Sequence, residues 1–322
     1  MKLELIDFKW NKRYSIFSHP NYLSQKSNDY MYIGGFINQS LKFVLPWVRH
    51  NKLIFSHLQF PSSIIYVDEN MGLKDEKLFM KKLIPFLKFN KIDFIIQPPT
   101  TAIFNFFPPN AKYIPFGSYI IDLQNDEETL WKNIHSKHRN VIRRAEKNCV
   151  EIKHDKNIEI SHNLISQTLK RSDMNFMNLE QFKIFIDSFG EFVKIFIAYQ
   201  DGTPQGCAIL PWSNYSAYYI FGGSIDKVST GSLNLLHWEA IKFFKKNNVR
   251  YYDFVGARIN PTKDKKLEGI QRFKSRFGGN LKRGYLWKYE LNMWKTHIYW
   301  KLHSFKYGKI NDIIDKELNN IS

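Results

Sequence analysis

Tyr251-Tyr-Asp-Phe-Val-Gly-Ala-Arg258 is a short apolar run that ends on an acid and a glycine. Its β-favouring residues predict a strand over Val249 to Phe254, with Asp253 near its C-terminal end. A loop follows. Then Gly269-Ile-Gln-Arg-Phe-Lys-Ser-Arg-Phe-Gly-Gly279 sets Lys274 between Phe273 and Phe277, ahead of two glycines. Lysine heads normally stay in water, so an aromatic setting suggests a cation aimed at an anion or a polarised carbonyl. The plainer alternative is a surface lysine in a hairpin whose phenylalanines are core. Asp253 also reads two ways. An acid at a strand end serves as general base or holds an ammonium, or it ties down its own loop through backbone N–H groups.

Upstream of this run the pattern is a meander: Val193–Tyr199, an Asp201-Gly202 turn, Gln205–Trp212, a Ser213-Asn214 turn and Ala217–Phe221. Gly222-Gly223-Ser224 closes that strand, and Ser229-Thr-Gly-Ser232 opens a helix over Leu233–Lys246. Gly222, Gly223, Ser224, Gly231 and Ser232 form a candidate binding edge. Glycines let a ligand approach backbone and a helix N-terminus favours anions, though Gly-Ser pairs are also common caps. His237, inside an apolar helix, reads as a core residue. Further upstream, a strand at Ser118–Leu123 precedes a helix from about Asp126 to Asn148 whose apolar positions recur at helical spacing. Arg139 and Arg143, four apart, share its other face, which suits phosphates or is a solvated charged face. Asn178 with Gln181 has the spacing of a capping box.

The first part reads as mixed α/β. Met31–Phe36, an Asn38-Gln39 turn and Leu41–Trp47 form a hairpin; Glu76–Phe89 is helical around Pro85; Ile92–Gln97 is a short strand. Paired prolines at 98–99 and 108–109 suggest a division, giving an N-terminal domain 1–117, a second domain 118–290 and a helical tail 291–322.

The bulk numbers bound the class. With 322 residues, 43% hydrophobic and 16% aromatic, the chain is long enough for two modest folded domains. Its net charge of +17 favours polyanions: nucleic acid, nucleotide-linked substrates or an anionic membrane face. The two cysteines, Cys149 and Cys207, follow no disulfide or metal spacing, which fits a reducing cytoplasm. The N-terminus carries charges throughout, unlike a signal peptide, and no apolar run approaches the roughly 20 residues of a membrane span. The ten histidines show no metal-ligand spacing.

Antiparallel strands feeding a helix and then a further strand resemble the core of the Gcn5-related N-acyltransferase fold. In that fold two central strands splay apart and unpaired backbone holds the donor. The expected fold class is therefore mixed α/β (α+β), with two such domains built on mostly antiparallel central sheets flanked by helices. Within that fold the chain resembles the FemABX family, transferases that move an amino acid from aminoacyl-tRNA onto an amine of peptidoglycan precursors. The resemblance rests on the Leu130–Ala145 helix pattern, Phe221-Gly-Gly-Ser224, Tyr252-Asp-Phe-Val-Gly256 and Phe273-Lys274 ahead of Phe277-Gly-Gly279. It implies that Phe273 and Lys274 are the functional Phe-Lys pair, that Phe221 and Tyr252 lie at the substrate, and that the tail returns to the first domain. It implies no tightly bound cofactor and no metal. The donor would be aminoacyl-tRNA, with acyl-CoA as alternative, although the coenzyme A pyrophosphate loop, Arg/Gln-x-x-Gly-x-Gly/Ala, is absent. The acceptor would be an anionic glycan or nucleotide-linked amine, with peripheral contact at the inner membrane surface. Two rival readings are a coenzyme A-dependent N-acyltransferase acting on an amino sugar or small amine, and a non-catalytic RNA- or membrane-surface-binding protein.

Overall fold

The computed structural model describes residues 1–154, 156–259, 265–308 and 312–321, so the loop expected after Arg258 lies partly outside the described residues. The N-terminal part contains β1 (Lys2–Ile6), α1 (Pro20–Lys26), β2 (Tyr30–Ile37), β3 (Ser40–Lys52), β4 (Phe55–Gln59), β5 (Ile65–Tyr66), α2 (Leu73–Phe89) and β6 (Phe94–Ile95). Next come β7 (Lys112–Asp122), α3 (Glu127–Asn133), α4 (Ser136–Lys147), β8 (Glu151–Lys153), α5 (Ile158–Lys170) and α6 (Leu179–Asp187). The meander is β9 (Val193–Gln200), β10 (Thr203–Pro211), β11 (Ser216–Tyr218) and β12 (Phe221–Ser224). It leads to α7 (Ser232–Lys246), β13 (Tyr251–Asp253), β14 (Ala257–Arg258), α8 (Lys265–Ser275) and β15 (Asn280–Glu290). Two helices, α9 (Met293–Tyr307) and α10 (Ile313–Ile321), end the described chain.

Among the described residues the strands form two sheets. The larger has the order β1-β2-β3-β4-β6-β15-β7-β13-β11, with β5 added on β3 and β14 on β7; the smaller is β12-β10-β9-β8. Strand β15 joins the N-terminal strands to the later ones, pairing with β6 through Tyr289 and Glu290 and with β7 from Asn280 to Lys288. Strand β7 is continuous from Lys112 to Asp122, so residues 117 and 118 lie in one strand. Helix α9 packs on the N-terminal sheet: Tyr299 meets Phe55, His57 and Phe94, and Lys295 pairs with Asp93.

Local sequence signals account for several elements. Asn38 and Gln39 both have positive φ, 50° and 61°, as a two-residue hairpin turn requires between β2 and β3. Asn178 and Gln181 cap α6 reciprocally. One helix differs from expectation. The stretch from Asp126 to Asn148 is two helices, α3 and α4, broken at Ile134 and His135. His135 adopts extended backbone, its Nδ1 accepts from the Lys137 N–H, and its own N–H goes to Arg276 O at 2.8 Å. The new cap and the tertiary bond replace the helical bonds lost at the break.

Candidate active site

The site is built where the chain changes sheets. Strand β11 runs parallel to β13, pairing Ser216 with Tyr251, Ala217 with Tyr252 and Tyr218 with Asp253. The Tyr219 N–H still donates to Asp253 O at 2.8 Å, but the Ile220 N–H donates to Ile209 O of β10 at 3.2 Å. From there β12 pairs with β10, Phe221 opposite Ile209 through Ser224 opposite Gly206. The strands β12 and β13 therefore part beyond Tyr219. On the β13 side the chain turns through Val255 and Gly256, whose φ values are 47° and 73°. A β-branched residue in the left-handed region is strained and needs holding.

A buried carboxylate and a partly buried ammonium hold that turn. The Asp253 carboxylate accepts the Val255 N–H at 2.7 Å and the Ser118 hydroxyl. Burial pushes its pKa up, opposed by those two hydrogen bonds and by Lys282 and Lys274. From the last turn of α8, the Lys274 ammonium donates to Gly256 O at 3.0 Å and to Val255 O. Burial pushes Lys274 down to about 8, against the pull of Asp253. An ammonium has three N–H bonds, and among the described residues two meet these carbonyls.

The other predicted residues lie elsewhere. Phe273 on α8 and Phe277 in the turn just after it pack toward the core against His138 and His237. Lys274, one position round the helix, faces the turn, so its ammonium is not held among the aromatic rings as expected. Tyr252 is fully buried with its hydroxyl 2.7 Å from His237 Nδ1. Burial, followed by the charges of Lys274 and His138, lowers His237 to about 3. Phe221 packs edge-on against Phe176 and Phe185.

The glycines serve packing. Gly222 and Gly223 lie inside β12 instead of closing a strand. A β-carbon on Gly223 would collide with the backbone of Leu164 and Ile165 in α5, and one on Gly222 with the Tyr219 hydroxyl. Ser224 is tied to α5 and its end, its N–H to Thr168 Oγ1 at 2.8 Å and its carbonyl to Arg171 at 2.9 Å. Gly231 caps α7 with φ 88°, and a β-carbon there would collide with Val141 O of α4; Ser232 is buried behind it. The start of α7 thus meets another helix backbone. Arg139 bonds the carbonyls of Lys132 at 2.7 Å and Ile134 at 2.5 Å, closing the end of α3. Arg143 lies 5.4 Å from the Trp131 ring. Of the predicted residues, only Asp253 and Lys274 act on one structure, the 253–256 turn.

Asp253 also lines a cleft of about 810 Å³ between N-terminal loops and the ends of β7, β11, β13 and β15. Arg13 and Tyr66 line its first side, Arg250 and Lys282 the second. The N-terminal wall escaped sequence reasoning. There the Tyr66 hydroxyl bonds the buried Glu76 carboxylate, which also accepts from Asn105 Nδ2 at 2.6 Å. These residues stand 10 and 29 positions apart in no recognisable spacing. Among the described residues no group of His, Cys, Asp or Glu could hold a metal, and no helix is long and apolar enough to cross a membrane.

Residues 112–203 match the model of the FemAB family. The structure is similar to that of FemX, with a TM-score of 0.67 and 13% identity over 88% of this chain and 96% of that one. It is also similar to L-PGS from Bacillus licheniformis, with a TM-score of 0.49 and 10% identity over 87% and 95% of the two chains. A search of curated protein sequences gave no match. The parted strands, the flanking helices and the FemX-like architecture give the chain a mixed α/β fold of the same kind as FemX. The family match falls on the segment from β7 to β9. The matched stretch ends before Asp253 and Lys274.

Proposed function

We propose that the chain transfers an aminoacyl group from aminoacyl-tRNA to an amine of a cell-envelope glycan or peptidoglycan precursor. The observation that carries this reading is the 253–256 turn, fixed by a carboxylate and an ammonium where two central strands part. The amine nitrogen attacks the ester carbonyl, forming the C–N bond and placing negative charge on the carbonyl oxygen. Lys274 directs its third N–H at that oxygen, its direction set by the two carbonyls it already binds. Asp253, facing the cleft, positions the amine and accepts its proton. Collapse of the tetrahedral intermediate breaks the C–O bond, and the departing ribose oxygen takes up a proton. Arg13, Arg250 and Lys282 give the cleft a basic lining suited to an anionic acceptor.

The donor assignment is supported by the start of α7. The chain lacks the glycine loop that cradles the coenzyme A pyrophosphate, and Gly231 lies against α4 backbone. Offering labelled aminoacyl-tRNA and labelled acetyl-CoA separately, with and without RNase, tests the donor. Transfer that depends on charged tRNA and is abolished by RNase is expected. RNase-insensitive transfer from acetyl-CoA would replace this reading with a coenzyme A-dependent one. Lys274→Met is expected to slow transfer by about 10²–10³. A full rate in that variant with every donor would remove the lysine from the chemistry.

A further inference from the structure

Helix α9 carries five aromatic residues, three lysines and two histidines over Met293–Tyr307, with no Asp or Glu. One face is spent on the fold. Thr296, Tyr299 and His303, at helical spacing, face inward: Thr296 is buried and Tyr299 packs on Phe55, His57 and Phe94. The opposite stripe is Trp294, Ile298, Lys301 and Phe305, at positions i, i+4, i+7 and i+11. Trp294 is 77% exposed and Phe305 94% exposed. Surface helices normally turn polar residues outward, and this one turns its largest apolar groups into water.

The neighbouring hairpin tip does the same. Strands β3 and β4 are joined by a two-residue turn, Leu53-Ile54, since Lys52 pairs with Phe55. Leu53 has φ 55°, where glycine or asparagine is favoured. It is nonetheless leucine, 91% exposed, beside an isoleucine 66% exposed. The tip touches α9: Lys295 Nζ bonds Ile54 O at 2.9 Å, and Lys52 Nζ lies 5.7 Å from the Tyr307 ring. Two separate elements therefore present apolar tips with lysines on one side of the molecule.

We infer that α9 and the Leu53-Ile54 tip form a docking surface for an anionic lipid bilayer. Trp294, Phe305, Leu53 and Ile54 enter the boundary between headgroups and acyl chains, while Lys52, Lys301 and Lys306 remain at the phosphates. Charge complementarity favours this occupant, because α9 is without acid and the chain carries +17. Single-stranded RNA would use the aromatics for stacking, but leucine and isoleucine tips offer no stacking face. A second copy meeting this patch on itself would oppose lysine to lysine. The inference does not depend on the acyl-transfer reading.

The test is co-sedimentation of the full chain with vesicles of phosphatidylcholine alone and of phosphatidylcholine mixed with phosphatidylglycerol. Binding to the mixed vesicles only, weakened by salt, is expected. The double variant Trp294→Ser with Phe305→Ser should bind at least about tenfold more weakly, and Lys301→Glu with Lys306→Glu should also lose about tenfold. A second pair, Leu53→Gly with Ile54→Asn, suits the turn better, so it should fold at least as well as the parent while binding vesicles more weakly. Equal binding by parent and variants overturns the inference. So does absent vesicle binding, including where the aromatic pair instead weakens tRNA binding or a self-association seen by sedimentation.

Discussion

Beyond Tyr219, β12 carries Gly222 and Gly223 against a tyrosine ring and the backbone of α5, whereas the end of β13 carries Asp253 and receives Lys274. On the first strand, absent side chains make room for the protein's own helix. On the second, a buried carboxylate and a partly buried ammonium hold a valine at φ 47°. Glycine richness beside a parted strand has a packing reason here, whereas charged groups around strained backbone are a general mark of chemistry.

The sharpest way to break this contrast is Asp253→Asn. The amide oxygen still accepts the Val255 N–H and the Ser118 hydroxyl, and no carboxylate need be buried. Thermal stability is expected to hold or rise, while transfer falls by about 10²–10⁴ if the carboxylate takes the amine's proton. Melting curves and initial rates on the same preparation separate the outcomes. Reduced stability at an unchanged rate would make Asp253 a loop anchor only.

On the other strand, Gly223→Ala should act through stability. Its β-carbon meets the α5 backbone, which yields only by displacing a helix. A loss of about 2 kcal/mol or more is expected in denaturant unfolding, with the rate per folded molecule nearly preserved. A stable Gly223→Ala protein with lost activity would return the glycine to the binding site.

What could be read from the sequence divides along a related line. The Asn38-Gln39 hairpin and the α6 capping box were legible because their determinants lie within four residues of one another. The Asp201-Gly202 turn that marked β9 and β10 is equally local. Lys274 stood out as a cation among aromatics, yet its partners Val255 and Gly256 are 19 and 18 residues away and became visible only in three dimensions. Arg139 and Arg143 were rightly placed on one helix. Only the break at His135 brings the end of α3 within reach of Arg139, whose guanidinium bonds two carbonyls there. The Tyr66–Glu76–Asn105 cluster, of which Tyr66 lines the cleft, left no pattern, because its members come from a strand, a helix and a loop.

The smallest expected effect, and the most specific to Lys274, is on pH dependence. Burial lowers its pKa from the ordinary 10.5 to about 8. Below about pH 8 both folded and unfolded chains hold the proton, and the buried charge costs a constant amount of stability. Between about pH 8 and 10.5 the unfolded chain binds more protons, so this group's contribution to stability rises with pH across that window. If the ammonium steadies the carbonyl oxygen, the rate runs the other way, falling to half near pH 8 and about tenfold further for each pH unit above that. A profile of kcat/KM against pH, with melting temperatures at each point, reads both slopes. Lys274→Met should remove the alkaline fall along with most of the rate. A parent rate that stays level from pH 7 to 9 would leave Lys274 as the clasp of the 255–256 turn, with no charge lent to the reaction.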